Sequence, residues 1–277
     1  MLELWQNLPL HLNPVIFTIG NFSFRWYSLG YILALITIYL FLRRQFKKGA
    51  NPKNLTLDEL ENILLFTFLG ALLGGRIGYA IFYDWSNFII HPWQELLPFA
   101  DDGSFSGFYG MSFHGGLVGA LLSGWLITKK YSLKFYGVLN FIIPAFPLGY
   151  FWGRLGNFMN GELYGRVTEN KIGMHFNQTD KQLGILRHPS QLYEALSQGL
   201  LLFLILRWGC SHKKACQNKL FPLFLIFYGL IRFLIEFFRQ PDSQLGFVAL
   251  GWMTMGQMLC ILMMLIGGFI FWKIDKK

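Results

Sequence analysis

Seven apolar stretches, each about as long as a bilayer crossing, dominate this chain and leave few folds open to it. A helix that crosses hydrocarbon needs about 20 mostly apolar residues, because lipid offers no partner to an unpaired backbone amide. The stretches run roughly over 23–42, 61–83, 111–128, 137–159, 190–207, 219–238 and 249–272. Charged residues make up only 14% of the chain, against ~25% in a typical soluble domain. The pattern predicts an all-α integral membrane protein with about seven transmembrane helices. No repeat, low-complexity tract or linker divides the sequence, so residues 1–277 read as a single transmembrane domain.

Charge placement sets the expected orientation. The net charge of +9 would suggest nucleic acid in a soluble protein. In a membrane protein it is read by its distribution, and it favours anionic lipid rather than nucleic acid as a partner. Basic residues gather after the first, third and fifth stretches and in the C-terminal tail: Arg43, Arg44, Lys47, Lys48, Lys53; Lys129, Lys130, Lys134; Arg207, Lys213, Lys214, Lys219; Lys273, Lys276, Lys277. The opposite side carries Arg166, Lys171, Lys181, Arg187 and Arg239. Positive loops stay in the cytoplasm, so the N-terminus is expected outside and the C-terminus inside. The segment MLELWQNLPLHLNP has no basic residue ahead of an apolar core. The first span, rather than a cleavable signal peptide, is therefore expected to direct insertion. Segment 160–188, rich in Gly, Asn, Gln and charge, is expected to form a small extracytoplasmic head. Cys210, Cys216 and Cys260 suggest neither a disulfide framework nor a catalytic thiol.

Four arginines fall within or at the ends of the apolar stretches: Arg25, Arg76, Arg154 and Arg232. Arg25 stands at a stretch end, where its side chain can reach the interface by snorkelling. An arginine inside hydrocarbon costs roughly 2.5–3.5 kcal/mol, so the other three are expected to face protein or water. At 1.5 Å per residue each lies roughly 7–11 Å below the outer boundary, near the depth of an outer-leaflet phosphate. Guanidinium binds phosphate through paired hydrogen bonds, which makes an anion site the sharper reading and a structural ion pair the plainer one. Tyr228, Arg232 and Glu236 are spaced to share one helix face, as are Arg154, Asn157 and Gly161. His114 opens the third stretch in MSFHGGL. An imidazole titrates near pH 6.5, which suits proton transfer. The glycines of GGRIGY (74–79) and FHGGLVGA (113–120) have close-packing spacings.

Six strings together resemble the bacterial prolipoprotein diacylglyceryl transferases: RWYSLGY (25–31), GGRIGYAIFY (74–83), MSFHGGLVGA (111–120), GRLGNFMNGELYGR (153–166), HPSQLYEA (188–195) and YGLIRFLIEFFRQPD (228–242). They span the first six stretches, and GRLGNFMNGELYGR is the most specific. Ser28 stands where that family often has Gly. The resemblance implies a multi-pass enzyme of the bacterial inner membrane that needs no cofactor and no metal. Its substrates would be phosphatidylglycerol and the lipobox cysteine of a preprolipoprotein signal peptide. The diacylglyceryl group would move to the thiol, forming a thioether and releasing glycerol phosphate. By motif, Arg154 and Arg232 would bind the lipid phosphate. His114, Tyr27, Asn157, Gly165, Glu162, Tyr228 and Glu236 fall on positions the family treats as functional, and Arg76 is a further candidate for the phosphate.

The chemistry suits these residues. A thiol must lose its proton to attack, and cationic donors stabilise charge developing on a leaving phosphate. His114 is the preferred base, with Glu162 or Glu236 as replacements or as groups that orient an arginine. A transporter of an anionic or lipid-like substrate is the main alternative. Against it, the charges crowd one leaflet. An intramembrane protease is less favoured, because no serine sits in a nucleophile motif. The charge distribution predicts that labels at positions 49, 131 and 215 react only from the cytoplasm and a label at 171 only from outside. Cytoplasmic labelling at 171 in sealed cells would invert the topology.

Overall fold

The computed structural model describes residues 2–20, 22–97, 110–210, 218–241 and 246–276. Lys213, Lys214, Cys216 and Lys277, used above for orientation and redox state, lie outside the described residues, as does the side chain of Cys210. In chain order the elements are α1 (Leu2–His11), β1 (Val15–Ile19), β2 (Phe22–Arg25), α2 (Trp26–Lys47), α3 (Leu57–Tyr83), α4 (Trp85–Ile90), α5 (Pro92–Leu96), α6 (Phe113–Lys130), α7 (Phe135–Ile142), α8 (Phe146–Met159), β3 (Val167–Thr168), α9 (Gln178–Gln182), β4 (Leu186–Arg187), α10 (Ser190–Glu194), α11 (Leu202–Leu204), α12 (Leu220–Ile235), β5 (Phe247–Ala249), β6 (Met253–Thr254) and α13 (Met255–Asp275). A tight turn, Ile143–Ala145, joins α7 to α8. Wide turns at Ala195–Leu201 and Ile205–Cys210 join α10 and α11 into one helical run over 190–210.

The molecule is a mostly helical membrane protein. Among the described residues, four helical runs are long and apolar enough to cross a bilayer: α2, α3, Phe135–Met159 and α13, while α12 is apolar but shorter. Two expectations are corrected. The chain is not all-α, because β1–β2, β3–β4 and β5–β6 form three two-stranded antiparallel sheets. The first and last apolar stretches also become helical later than expected, at Trp26 and Met255. Arg25 ends a strand in register with Val15, and Phe247 pairs with Thr254. Strand pairing gives backbone groups ahead of these helices partners they would lack as single strands. Thr254 then starts α13, its hydroxyl accepting from the Gln257 amide while the Gln257 side chain returns to the Thr254 amide.

The described residues fall into two compact units, 45–139 and 1–44 with 140–277. In the first, α3 and α6 run antiparallel with glycines between them. A Cβ on Gly74 would stand 2.4 Å from the Gly115 carbonyl oxygen, and one on Gly119 would stand 2.1 Å from that of Gly70. Backbone therefore lies against backbone, the packing that small residues allow in membranes. Capping fixes both helix starts: Thr56 and Glu59 form a capping box on α3, and Ser112 accepts from the Gly115 amide on α6.

In the second unit a core of Ile143, Leu202, Leu206, Leu220 and Phe224 joins the Ile143–Ala145 turn, the 190–210 run and α12. Phe158, Met174 and Phe176 seat segment 160–188 on the end of α8. That segment is tied to α1, since Trp5 Nε1 donates to the Ile172 carbonyl at 3.0 Å and Gln6 Nε2 to that of Lys171 at 3.2 Å. The glycine contacts make a direct prediction. Gly119→Val should destabilise the α3–α6 pair by about 1–3 kcal/mol, the usual cost of overpacking. Thermal unfolding in detergent measures it, and an unchanged Tm would show that the two backbones do not touch.

Candidate active site

Glu194 is the centre of the second unit's polar chemistry. It is 0% exposed, at the end of α10. A carboxylate withdrawn from water costs several kcal/mol unless it is paired and hydrogen-bonded. Here three arginines and a tyrosine surround it. Arg154 Nε lies 2.9 Å and Arg232 Nη1 3.4 Å from Oε2, while Arg239 Nη1 lies 2.5 Å from Oε1. The Tyr150 hydroxyl donates to Oε2 at 2.6 Å, and the Arg154 guanidinium lies over the Tyr150 ring.

Three helices and the segment after the last of them supply this cluster. Tyr150 and Arg154 are one turn apart on α8, and Glu194 ends α10. Arg232 is in the last turn of α12, and Arg239 follows that helix. A second carboxylate, Glu236, takes Arg232 Nη2 at 2.9 Å and Arg239 Nε at 3.4 Å. Its other oxygen accepts from the Thr254 hydroxyl at 3.1 Å. The group holds three guanidinium cations, Arg154, Arg232 and Arg239, and two carboxylates, Glu194 and Glu236. One positive charge is left over, and this suits a monoanion.

The rest of the site extends from Arg154. Its Nη1 donates to Asn157 Oδ1 at 3.3 Å, and Asn157 Nδ2 donates to Glu162 Oε1 at 2.8 Å. Gln191 and Ser190, both fully buried, hold the backbone below by donating to the Glu162 and Leu163 carbonyls at 2.6 and 3.1 Å. Tyr27 packs on Gly156, where a Cβ would meet its ring at 3.0 Å, and its hydroxyl shares a 2.8 Å hydrogen bond with Tyr31. Tyr228 packs edge-on against Tyr150 at 5.8 Å. Gly165 lies where the head strand crosses the end of α12. Its amide donates to the His188 carbonyl at 2.8 Å, and a Cβ there would stand 2.3 Å from the Phe238 carbonyl oxygen. Arg166 ties the same crossing, its Nε donating to the Arg239 carbonyl at 2.7 Å. The His188 imidazole lies 5.1 Å from the Phe238 ring, and burial pushes its pKa below the ordinary value.

Seven residues singled out from the sequence thus share one connected region: Arg154, Asn157, Glu162, Gly165, Tyr228, Arg232 and Glu236. Tyr27 lies on α2 beside the α8 backbone. His114 and Arg76 belong to the other unit. His114 is exposed in the first turn of α6, edge-on to Phe113. Arg76 is buried in α3 and donates to the Gly110 carbonyl at 3.3 Å. Arg239, counted from the sequence among the loop charges, is instead a member of the cluster. Glu194 and Tyr150 were missed altogether. Gln191, Glu194 and Gln198 stand at i, i+3 and i+7 within an apolar stretch, a signal that could have exposed the buried face. Among the described residues, no group of three or more His, Cys, Asp or Glu is placed to hold a metal ion.

Removing Glu194 tests the centre. Glu194→Ala leaves three guanidiniums facing one another and should cost about 3–5 kcal/mol. Glu194→Gln, which keeps shape without charge, should also lower Tm in detergent. A wild-type Tm in both variants would show that the carboxylate does not hold the arginines together.

Comparison with known proteins gives this geometry its context. The sequence profile described as prolipoprotein diacylglyceryl transferase matches residues 14–273. The chain is similar to the phosphatidylglycerol–prolipoprotein diacylglyceryl transferase of Chlorobaculum tepidum, with 47% identity covering 97% of this chain and 92% of that protein. It is also similar to the enzymes of the same name from Legionella pneumophila (strain Lens), at 43% over 95% and 97%, and Coxiella burnetii, at 42% over 95% of each. The chain belongs to the prolipoprotein diacylglyceryl transferase family.

Proposed function

We propose that the chain transfers the diacylglyceryl group of phosphatidylglycerol to the lipobox cysteine of a preprolipoprotein, at the arginine–carboxylate cluster. Family membership supports the transfer and disfavours the transporter reading. The observation that carries the placement is the single excess positive charge among Arg154, Arg232, Arg239, Glu194 and Glu236. A phosphatidylglycerol phosphate carries one negative charge and fits it. Arg154 and Arg232 hold the phosphate. Asn157 and Glu162 aim Arg154, while Glu194 and Glu236 keep the guanidiniums spaced. Tyr27, Tyr228 and Gly165 shape the site, and Arg76 is a further cation for the lipid.

The cysteine thiolate attacks the glycerol carbon that bears the phosphate. The C–S bond forms as the C–O bond breaks, and its electron pair goes to the phosphate oxygen, giving the thioether and glycerol phosphate. Cationic donors at that phosphate stabilise the charge as it develops. The thiol proton passes to His114 as base, or to Glu162 or Glu236. The enzyme lies in the bacterial inner membrane with seven spans, N-terminus outside, C-terminus inside and residues 160–188 as an extracytoplasmic head.

Arg154→Ala should nearly abolish transfer and lipid binding while the protein still inserts. Arg154→Lys should rescue poorly, because an ammonium lacks the planar fork. Wild-type transfer by Arg154→Ala membranes would remove the residue from the site.

For the base, single-turnover transfer to a lipobox peptide across pH is the measurement. His114→Gln should slow the chemical step by about 10²–10⁴-fold with lipid affinity unchanged. Raising the pH toward the ordinary thiol pKa of about 8.5 should recover part of the rate, since the thiol then ionises unaided. Weakened lipid binding with an unchanged pH profile would make His114 a positioning residue.

A further inference from the structure

The last helix, α13, packs closely along α12 and in the opposite chain direction. A Cβ on Gly267 would stand 2.9 Å from the Pro222 carbonyl oxygen, and one on Gly229 would stand 3.0 Å from that of Cys260. These approaches, 222 to 267 and 229 to 260, set the height of α13 along its neighbour. The series continues past the end of α12 with Glu236 and Gly256, where a Cβ would stand 2.8 Å from Glu236 Oε1. Here the glycine makes room for a carboxylate rather than for backbone. Gly256 is the second residue of α13, a helical position where glycine is poorer than alanine unless something needs the space.

The buried Glu236 carboxylate thus has two sides. Oε1 accepts from the Thr254 hydroxyl at 3.1 Å and lies against the first turn of α13. Oε2 takes Arg232 Nη2 at 2.9 Å and Arg239 Nε at 3.4 Å. The start of α13 is firmly built: the Thr254 hydroxyl accepts from the Gln257 amide at 3.2 Å, and the fully buried Gln257 side chain accepts from the Thr254 amide at 3.0 Å. A helix N-terminus carries about half a positive charge. A carboxylate seated there is partly compensated from that side, so it draws less of the positive charge from the guanidiniums on its other side.

We infer that Thr254 and Gly256 are positioning residues of the phosphate site, acting through Glu236. The inference rests on the transfer reading above. Thr254 and the gap at Gly256 hold Oε1 on the start of α13, and Oε2 then fixes the direction in which Arg232 and Arg239 present their guanidiniums. Both arginines also reach Glu194, so a displaced Glu236 would shift donors across the whole cluster. Neither Thr254 nor Gly256 needs to touch the lipid. Their effect is on where the cations stand and how much of their charge is left for an incoming phosphate.

Gly256→Ala is the sharpest test, because alanine suits the helix and the nearest atoms its Cβ meets are those of the Glu236 carboxylate, the end of a flexible side chain. Tm in detergent should hold. KM for phosphatidylglycerol should rise about tenfold, the loss of roughly one hydrogen bond to a charged group. The kcat and the KM for a lipobox peptide should stay near wild type, since ground-state and transition-state binding of the phosphate weaken together. Thr254→Val should raise the lipid KM in the same way, and Thr254→Ser, which keeps the hydroxyl, should restore it. Glu236→Asp combined with Gly256→Ala should cost less than the two single losses together, because the shorter side chain clears the added Cβ. An unchanged lipid KM in Gly256→Ala overturns the inference, whatever its Tm, and so does strict additivity in the double variant. A rise confined to the peptide KM overturns it as well. Arg154→Ala run in parallel separates the two readings. Lost lipid binding there beside a silent Gly256→Ala sinks the positioning role alone, whereas intact lipid binding sinks the phosphate site beneath it.

Discussion

The second unit depends on one arrangement, a carboxylate without solvent exposure held by three guanidiniums and a phenol. Glu194 is where α8, α10, the last turn of α12 and the segment after it meet in a single atom group. Neither sign of charge is tolerable there alone. Without Glu194 the arginines repel, and without the arginines the carboxylate stays ionised only at great cost. This mutual need adds fixed spacing to segments already joined by the apolar core of Ile143, Leu202, Leu206, Leu220 and Phe224. It also leaves the guanidinium edges at a set distance from one another, which is what recognition of a phosphate requires.

The supports around that centre are mostly backbone. Gly165 lets two chain segments cross in contact, Arg166 clips the end of α12 from its carbonyl side, and Gln191 and Ser190 hold the turn after α8 from below. The other unit reaches rigidity by a different route. Its two long helices touch through glycine, so their spacing is set by main-chain atoms and has no rotamers to vary.

Much of this was legible in the sequence. The apolar stretches located the helices, and the GRLGNFMNGELYGR string placed Arg154, Asn157 and Glu162 together. The i, i+4 spacing of Arg232 and Glu236 became an ion pair. The hairpins were not legible, because apolar residues of FSFR and FVAL read equally well as helix ends or strands. Arg239 was misplaced because a charge just past an apolar stretch looks like a loop charge until a partner is known. Glu194 was hidden by its surroundings: one acid in an apolar run is conspicuous only when the arginines of two other helices are seen to need it.

The pairing of Glu194 with arginines on other helices has a consequence for how the chain reaches its membrane. The run over 190–210 carries Gln191, Glu194 and Gln198, all without solvent exposure, α8 carries Arg154 unmatched, and α12 with the residues after it carries Arg232 and Arg239 against Glu236 alone. Each lone charge raises the cost of partitioning a helix into lipid by about 2.5–3.5 kcal/mol. Held against one another, the three segments cancel most of that cost. They should therefore leave the insertion machinery as a group, with α8 retained beside the channel until the two later segments have been synthesised. Biogenesis of this protein is then cooperative across roughly a third of its length.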